Sequence, residues 1–418
     1  MSACYILHEG RPHIYLFGRD IMGKRQVVRV RNFKPYFYVK TDKETKYKSI
    51  YGENLELISF EKPSDVKVKR KEFLETYEAK IPFVYRYLID KGIHCGFEVV
   101  KGKIKPAQPL NVKPRVMYFD IEVLSPPEIL PVPEDASYKI VCVATHDTYT
   151  DKTELFFVES PNTDRVEGVH YYRTEKEMLG AFFKYVQKID PDIIAGYYSN
   201  MYDWPYIYAR CRRLGIPLMG LSPLKVVTGR PMKKYPKRFE VRILGRELID
   251  LLEWYKIITK PEGEKETYDL KVLVRNECGF SYEDWGDRIE VVWNEDHETL
   301  KGYMLNEMIA CKLLDEHRKL IKEADTRRKL IGVNISDVSK SSMNILVYLH
   351  RLAKERGVIL PTFSLEKGEE WRGALVAKQK PGLYENVAVF DLKSLYPSII
   401  AAMNLSFETY KDGEWLRE

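Results

Sequence analysis

Cysteine is sparse and scattered in this chain. The six residues (Cys4, Cys95, Cys142, Cys211, Cys278, Cys311) form no Cys-x-x-Cys pair and have no nearby histidine pair to complete a zinc site. That excludes a secreted disulfide framework and a zinc finger, and reads as reduced, buried thiols in a cytoplasmic protein. The eight histidines do not cluster. No apolar run approaches the ~18–20 residues that cross a bilayer, and the start, MSACYILHEGR, lacks the apolar core of a signal peptide. No membrane association is expected. Internal repeats and low-complexity tracts are missing too.

What is present is an ordinary globular composition. Hydrophobic residues make up 44% and charged residues 31% of 418, which excludes disorder, collagen-like repeats and coiled coil as the main architecture. The length suits three domains at roughly 150 residues each. The net charge is a modest +6, but it hides a local imbalance. Between Tyr208 and Arg246 stand eleven Lys/Arg, including Arg230, Lys233, Lys234, Lys237 and Arg238, against the single acid Glu240. Aromatic and turn residues (Tyr235, Phe239, Pro231, Pro236) interrupt the run. A basic loop with aromatics suits a phosphate backbone, where each neutralised phosphate releases counterions; a solvated surface loop is the alternative.

The pattern of elements is α/β, a multi-domain α+β arrangement. Residues 1–113 read as short strands (YILHEG, HIYLFGRD, QVVRVRNF, PYFYVKT) followed by a helical stretch, Ile81–Gly92, and a Pro/Lys-rich connector, Lys101–Pro114. Then come VMYFDIEV (Val116–Val123), IVCVATHD and ELFFVES as strands of one sheet, a helix over Glu175–Ile189, and a buried strand at Asp192–Tyr198. One long helical pattern runs from about Glu298 to Leu330, and another helix lies near Ser342–Gly357. Tyr384–Asn404 reads as a buried strand, NVAVFDLKS, leading into a helix.

Asp120 and Glu122 are one residue apart on a strand, so both side chains point to one face. Two acids inside an apolar run are costly unless a cation neutralises them. Asp203 reads as a strand-end acid, following another apolar strand in GYYSNMYDWPYI. Tyr303 and Glu307 are four apart on a helix and share a face. Together these could gather carboxylates around two divalent metals about 3.5–4 Å apart, the arrangement for phosphodiester hydrolysis. Taken singly, each acid is commonplace; their order is what stands out.

That order resembles the 3′–5′ proofreading exonuclease of family B DNA polymerases, an RNase H-like fold. The chain is most similar to the archaeal-type members along essentially its whole length. DLKSLYPSII (Asp391–Ile400) resembles the family's palm motif A, and YILHEGRP, NFKPYFYV, IPFVYRYLIDKG, YFDIEV and ISDVSKSS match in order. The resemblance implies an N-terminal domain over 1–113, with 325–362 returning to it, an exonuclease domain over 114–324, and the first part of a polymerase palm over 363–418. It also implies a DNA-directed DNA polymerase. Asp120, Glu122 and Asp203 would hold magnesium, for which manganese may substitute, Tyr303 would orient the attacking water, and Glu307 would stand at the third motif's acid. Asp391 would bind the polymerase metals, within a nucleotide-binding segment of Leu392, Ser394, Leu395 and Tyr396, with Tyr396 under the incoming sugar.

Two positions depart from the family pattern. Tyr198 stands where the second motif has Asn, and Glu307 where the third has Asp; glutamate adds a methylene, more than the ~0.5 Å tolerance of a preorganised site. An active and a decayed exonuclease both stay open. The segment before motif A reads Trp371-Arg-Gly373-Ala374 in place of Tyr-x-Gly-Gly. The second palm carboxylate and the triphosphate-binding lysine motif do not occur in the chain, so nucleotidyl transfer is expected to need a C-terminal polymerase chain carrying fingers, remaining palm and thumb. Primer–template DNA, dNTP and a sliding clamp are the other expected partners. Archaeal-type members also pause at template uracil, and the pocket's positions match here as Tyr5, Pro35, Tyr36, Val66, Ile81, Pro82, Phe83 and Arg86. The alternatives are a stand-alone exonuclease or a non-catalytic DNA-binding scaffold.

Overall fold

The structure, a computed structural model, describes residues 2–126, 129–233, 236–362, 375, 377–378, 380–406, 409–411 and 414–415. It divides into two compact units, Met1–Phe363 and Ser364–Glu418. Lys234 and the segment Trp371–Ala374 lie outside the described residues.

The first unit opens with an antiparallel sheet of β1 (Ser2–His8), β2 (Arg11–Arg19) and β3 (Arg25–Val30). A hairpin of β4 (Tyr36–Lys40) and β5 (Leu55–Ser59) follows, then helices α1 (Pro63–Lys69) and α2 (Phe83–Asp90). α2 buries Phe83, Tyr85, Arg86, Tyr87, Leu88 and Ile89, positions that fall on every side of barely two turns, so the helix is enclosed and not laid on a surface by one face. The Lys101–Pro114 connector is partly ordered: β6 (Phe97–Val100) and β7 (Lys103–Pro106) form a hairpin there. Gly96 is required at its base, since a Cβ would stand 2.4 Å from the Ala107 carbonyl oxygen.

Next comes a mixed sheet, six-stranded among the described residues, in the order β11-β10-β9-β8-β12-β15. Its strands are β8 (Val116–Leu124), β9 (Lys139–Asp147), β10 (Lys152–Val158), β11 (Val169–Tyr172), β12 (Ile193–Gly196) and β15 (Glu247–Asp250). β12 runs parallel to both β8 and β15, whereas β8, β9 and β10 are antiparallel neighbours. Helices cover both faces, which is why β8, β9 and β12 read as nearly continuous apolar runs. α3 (Glu175–Ile189), with Thr174 capping its start at 3.2 Å from the Glu177 N–H, lies on β9 and β10. α4 (Asp203–Leu214) brings Trp204 onto Phe119 with ring centroids 4.6 Å apart. Before β15, the basic stretch forms a hairpin of β13 (Val227–Pro231) and β14 (Phe239–Ile243).

After β15 come α5 (Leu251–Thr259), α6 (Leu270–Cys278), α7 (Ile289–Glu295) and α8 (His297–Arg318), the last packed on β8, β9 and β10. The single helical pattern expected over Glu298–Leu330 is two helices, α8 and α9 (Leu320–Ile331). Lys319 between them is left-handed at φ 56°. The buried Asp315 makes the corner: it accepts the Ile321 N–H at 2.8 Å and the Tyr118 hydroxyl at 2.6 Å. α10 (Ser341–Glu355) then returns to α2, and the chain beyond it bridges Ser49 to Ile359 and Tyr77 to Pro361.

In the second unit α11 (Leu395–Ala402) is formed, but NVAVFDLKS is not the buried strand expected of it. Val389 is 88% and Phe390 93% exposed. Apolar character alone does not make a strand; a ladder partner is needed, and among the described residues none pairs with this segment.

Candidate active site: a cluster of carboxylates

Strand alternation fixes the first two acids. Tyr118 reaches Asp315 on α8 while Phe119 packs on Trp204 of α4, so Tyr118, Asp120 and Glu122 share the α8 face of β8. Opposite them on β9 are the small residues Ala144 and Cys142, which leave room above the sheet. Asp203 belongs to a different element from the one expected: it is the first residue of α4, seven residues beyond the end of β12, not a strand-end acid. Its carboxylate is held by its own backbone N–H and that of Ile121. Anions are favoured at a helix start, which explains an acid there. Tyr303 and Glu307, one turn apart on buried positions of α8, complete the group.

The electrostatics are those of a crowded, desolvated anion cluster. Burial first, then the charges of Asp203, Glu122 and Glu307, push Asp120 well above the usual carboxylate range. Burial and Glu307 push Glu122 up to about 8. Burial pushes Asp203 up to about 8 against its backbone hydrogen bonds, with Asp250 and Glu307 adding to the rise. The Tyr303 hydroxyl hydrogen-bonds Glu122, and burial holds that phenol protonated. Among the described residues no side-chain cation forms an ion pair with Asp120, Glu122 or Asp203.

Glu307 is different. The Tyr282 hydroxyl donates to it at 2.9 Å, and Lys271, at the second position of α6, lies 3.2 Å from the same oxygen. Lys271 also pairs with Asp284 at 2.9 Å and sits 5.4 Å from the centroid of the Tyr303 ring. Burial alone would lower the lysine, but Glu307 and Asp284 hold it above its ordinary value. Sequence reasoning missed Lys271, Tyr282 and Asp284. No spacing marks them, because they meet the site only through the packing of α6 on α8.

The donor chemistry fits a hard divalent cation: all-oxygen ligands, with Asp203 buried and Asp120 and Glu122 half-buried, mutually repelling and without ion-pair partners among the described residues. Among the described residues, however, no three His, Cys, Asp or Glu side chains converge closely enough to hold an ion as placed.

The turn leading to Asp203 is also built by a residue not singled out from sequence. Asp250, at the end of β15, accepts the N–H groups of Tyr198 and Asn200 at 3.1 Å each while capping α5 through Leu252 at 3.0 Å. Tyr198 within that turn is left-handed, at φ 59°.

The basic stretch separates into two roles. Arg210 is buried in a two-pronged pair with Glu175 at 2.8 and 2.9 Å, and Arg246 is buried against Asp190 at 2.7 Å. Arg238 pairs with Glu134 at 2.9 Å and donates to the Met201 carbonyl at 3.1 Å. Arg230, Lys233 and Lys237 are exposed on or beside the β13–β14 hairpin. The three interior or anchored arginines therefore contribute to structure, and the count of eleven overstates the free basic surface.

All eight positions named for the uracil pocket line one cleft of about 890 Å³, which also reaches Asn200, Met201, Arg230 and Lys233. Within it Tyr5 and Phe83 meet edge-on at 5.3 Å, and the buried Arg86, paired with Glu78, lies 4.6 Å over the Tyr36 ring. The Tyr36 hydroxyl donates to Asp90 at 2.8 Å. In the second unit Asp391, Leu392, Ser394, Leu395 and Tyr396 fall together on one exposed segment at the start of α11, with Ser394 left-handed at φ 54°.

The central sheet and its acid-bearing face are those of the RNase H-like class of exonuclease domain. Residues 74–273 match the exonuclease domain of DNA polymerase family B, and residues 336–415 match a second model described as DNA polymerase family B. Together these spans exceed half of the chain. The protein belongs to the family B DNA polymerases. It is 30% identical to a DNA polymerase of Archaeoglobus fulgidus over 91% of this chain and 50% of that protein, and 29% identical to one from Thermococcus gorgonarius over 97% and 54%. The solved family B polymerase of Pyrobaculum calidifontis superposes with a TM-score of 0.72 at 25% identity, covering 99% of this chain and 57% of that one. The chain thus spans about half the length of these relatives. Divalent metals are general to such domains. Tyr303 and Glu307 lie beyond the matched exonuclease span. Among the described residues no helix is long and apolar enough to cross a membrane, and of the six cysteines, all free, Cys142, Cys211 and Cys311 are buried while the others are partly exposed.

Proposed function

We propose that the chain is the N-terminal part of a DNA-directed DNA polymerase. In this reading it binds primer–template DNA, contributes Asp391 to the polymerase centre and carries a 3′–5′ proofreading exonuclease at Asp120, Glu122 and Asp203. The observation that carries it is the trio of raised, unpaired carboxylates beside the Tyr303 hydroxyl. Those three would hold Mg2+, or Mn2+ in its place, after side-chain rotation brings their oxygens together. When bound, the metal supplies charge neutralisation at the scissile phosphate and lowers the pKa of a bound water. The Tyr303 hydroxyl orients the water that attacks the terminal phosphodiester; a 5′-mononucleotide leaves and the shortened strand keeps its 3′-hydroxyl. The exposed Arg230, Lys233 and Lys237 would neutralise the strand's phosphates.

Nucleotidyl transfer is assigned to the assembly of Asp391 and Tyr396 with palm, fingers and thumb on a C-terminal polymerase chain, with dNTP as substrate, a sliding clamp as further partner, and the cytoplasm as the place of work. The domain limits 1–113 with 325–362, 114–324 and 363–418 belong to the same proposal. So does the cleft around Tyr36 and Arg86 as a template-uracil pocket, where backbone groups would bond the base edge and the wall would exclude thymine's methyl.

A second reading, a DNA-binding scaffold with a decayed exonuclease, is favoured by one observation: Glu307 is already satisfied by Tyr282 and Lys271. The experiment is degradation of a 3′-labelled single strand in Mg2+. Activity lost in Asp120→Ala supports the exonuclease, whereas salt-sensitive binding without cleavage supports the scaffold. Primer extension by this chain mixed with the C-terminal half, on templates with and without uracil, tests the rest. Uninterrupted copying past uracil would sink the pocket.

A further inference from the structure

Tyr198 combines three properties that rarely coincide. It is a bulky residue in the left-handed region, at φ 59°, where β-carbon crowding favours Gly, Asn or Asp. The residue is 44% exposed, although it lies two positions past the end of the buried strand β12 and precedes the buried Ser199. And the conformation is over-determined: both oxygens of the buried Asp250 carboxylate take N–H groups of this turn, from Tyr198 and Asn200, at 3.1 Å each. Strain held in place by a dedicated carboxylate points to function more than to packing.

The location supports this. β12 ends directly beside Asp120, since a Cβ on Gly196 would stand 3.0 Å from the Phe119 carbonyl oxygen. The turn then runs into Asp203 at the head of α4. On its other side Arg238 donates to the Met201 carbonyl at 3.1 Å, fastening the basic hairpin to the turn, and the cleft that Arg230 and Lys233 line also reaches Asn200 and Met201. A turn that presents an exposed aromatic residue, is tied to a basic hairpin and runs into a carboxylate cluster offers the combination that binds unpaired nucleotides: cations for the phosphates, a ring for the base.

We infer that Tyr198 is the stacking platform for the 3′-terminal base of an unpaired DNA strand whose last phosphodiester reaches Asp120, Glu122 and Asp203. The inference rests on the exonuclease reading for the strand's polarity, and a polar side chain at this position would offer hydrogen bonds where Tyr198 offers a face. Stacking is indifferent to which base is presented, so the platform would hold any frayed end and leave discrimination to fraying itself.

The test uses the full chain in the Asp120→Ala background, where hydrolysis is removed, with a single strand carrying 2-aminopurine at its 3′ terminus or four nucleotides inward. Stacking quenches the terminal probe. Tyr198→Phe should keep the quench, and Tyr198→Asn and Tyr198→Ala should lose it and weaken binding about tenfold, as the loss of one aromatic–base stack does. The internal probe should respond equally in all variants. Asn tolerates the left-handed backbone, so Tyr198→Asn folds at least as well as the parent, and melting curves check this. Unchanged terminal quenching and affinity in Tyr198→Ala would overturn the inference. Strand degradation by the protein with Asp120 intact is scored separately. If it fails while quenching still depends on Tyr198, the exonuclease reading falls and the platform stands; if it succeeds while quenching ignores Tyr198, the platform alone falls.

Discussion

Replacing Lys271 by methionine removes an ammonium that faces the carboxylate cluster while keeping most of the length of the apolar stem. The consequence can be worked from its partners. Lys271 touches Glu307 at 3.2 Å and Asp284 at 2.9 Å, and its own side chain is only 21% exposed. Breaking a buried pair by deleting one partner costs about 3–5 kcal/mol, chiefly because the other charge stays buried and unpaired. Glu307 fits that case at 10% side-chain exposure, but Asp284, at 54%, is screened and adds little. The expected loss is therefore about 2–3 kcal/mol, or a drop in Tm of about 4–12 °C at ~2–4 °C per kcal/mol for a large domain. The assay is thermal unfolding in EDTA and again in Mg2+. With the ammonium gone, the cluster has one positive charge fewer, so Mg2+ should bind more tightly and raise Tm further in Lys271→Met than in the parent, following RT ln(1 + [L]/Kd). Lys271→Met combined with Glu307→Gln should cost less than the two single changes added together, by about 1 kcal/mol or more. Equal Tm values in EDTA, with an equal Mg2+ response, would refute the argument and return Lys271 to the status of a surface side chain.

In EDTA, stability should fall as pH rises from about 4 to 8. Asp120, Glu122 and Asp203 are raised in the folded chain, two of them to about 8, so the folded state binds more protons than the unfolded one across that range; the stabilisation present at low pH is lost as the folded groups ionise. Mg2+ should flatten the slope, and a Tm that climbs between pH 5 and 8 in EDTA would contradict the cluster's description. Arg210→Ala should destabilise by about 3–4 kcal/mol, since it strands the buried Glu175, yet leave the affinity for single-stranded DNA within twofold. Arg230→Ala with Lys233→Ala should do the reverse, sparing Tm and lowering the slope of log K against log salt by about 1.4 for two single-strand phosphate contacts.

The contrast between those arginines shows where sequence reading stops. A count of charges between Tyr208 and Arg246 marks the hairpin as basic, but whether a guanidinium meets solvent or a carboxylate depends on Glu175, Asp190 and Glu134, which lie far away in the chain. Asp120 and Glu122 were legible because alternation along a strand is a local rule, and Tyr303 with Glu307 because a helical turn is. The helix spanning Glu175–Ile189 has the expected limits for the same reason. Asp203 was placed as an acid near the site but given to the wrong element, since an apolar run does not say where the strand stops and the next helix begins. Lys271 and Asp250 could not be found at all. Each acts through a contact made only when α6 meets α8, or β15 meets β12, and neither spacing nor composition encodes such a meeting.

The way the first unit closes on itself also bears on its synthesis. Ala3 exchanges two hydrogen bonds with Asn334 at 2.8 Å each, Tyr85 donates to Asp337 at 2.5 Å, and Ala79 donates to Thr362 at 2.8 Å. The opening strands thus wait for partners some three hundred residues downstream. At ~5–20 residues per second of translation, that delay is on the order of tens of seconds. The central sheet, whose strands all fall between Val116 and Asp250, can assemble on the ribosome in the meantime. The N-terminal sheet must then hold an unfinished apolar surface until α10 emerges to cover α2, a window in which a chaperone or the ribosome surface would be its natural shelter.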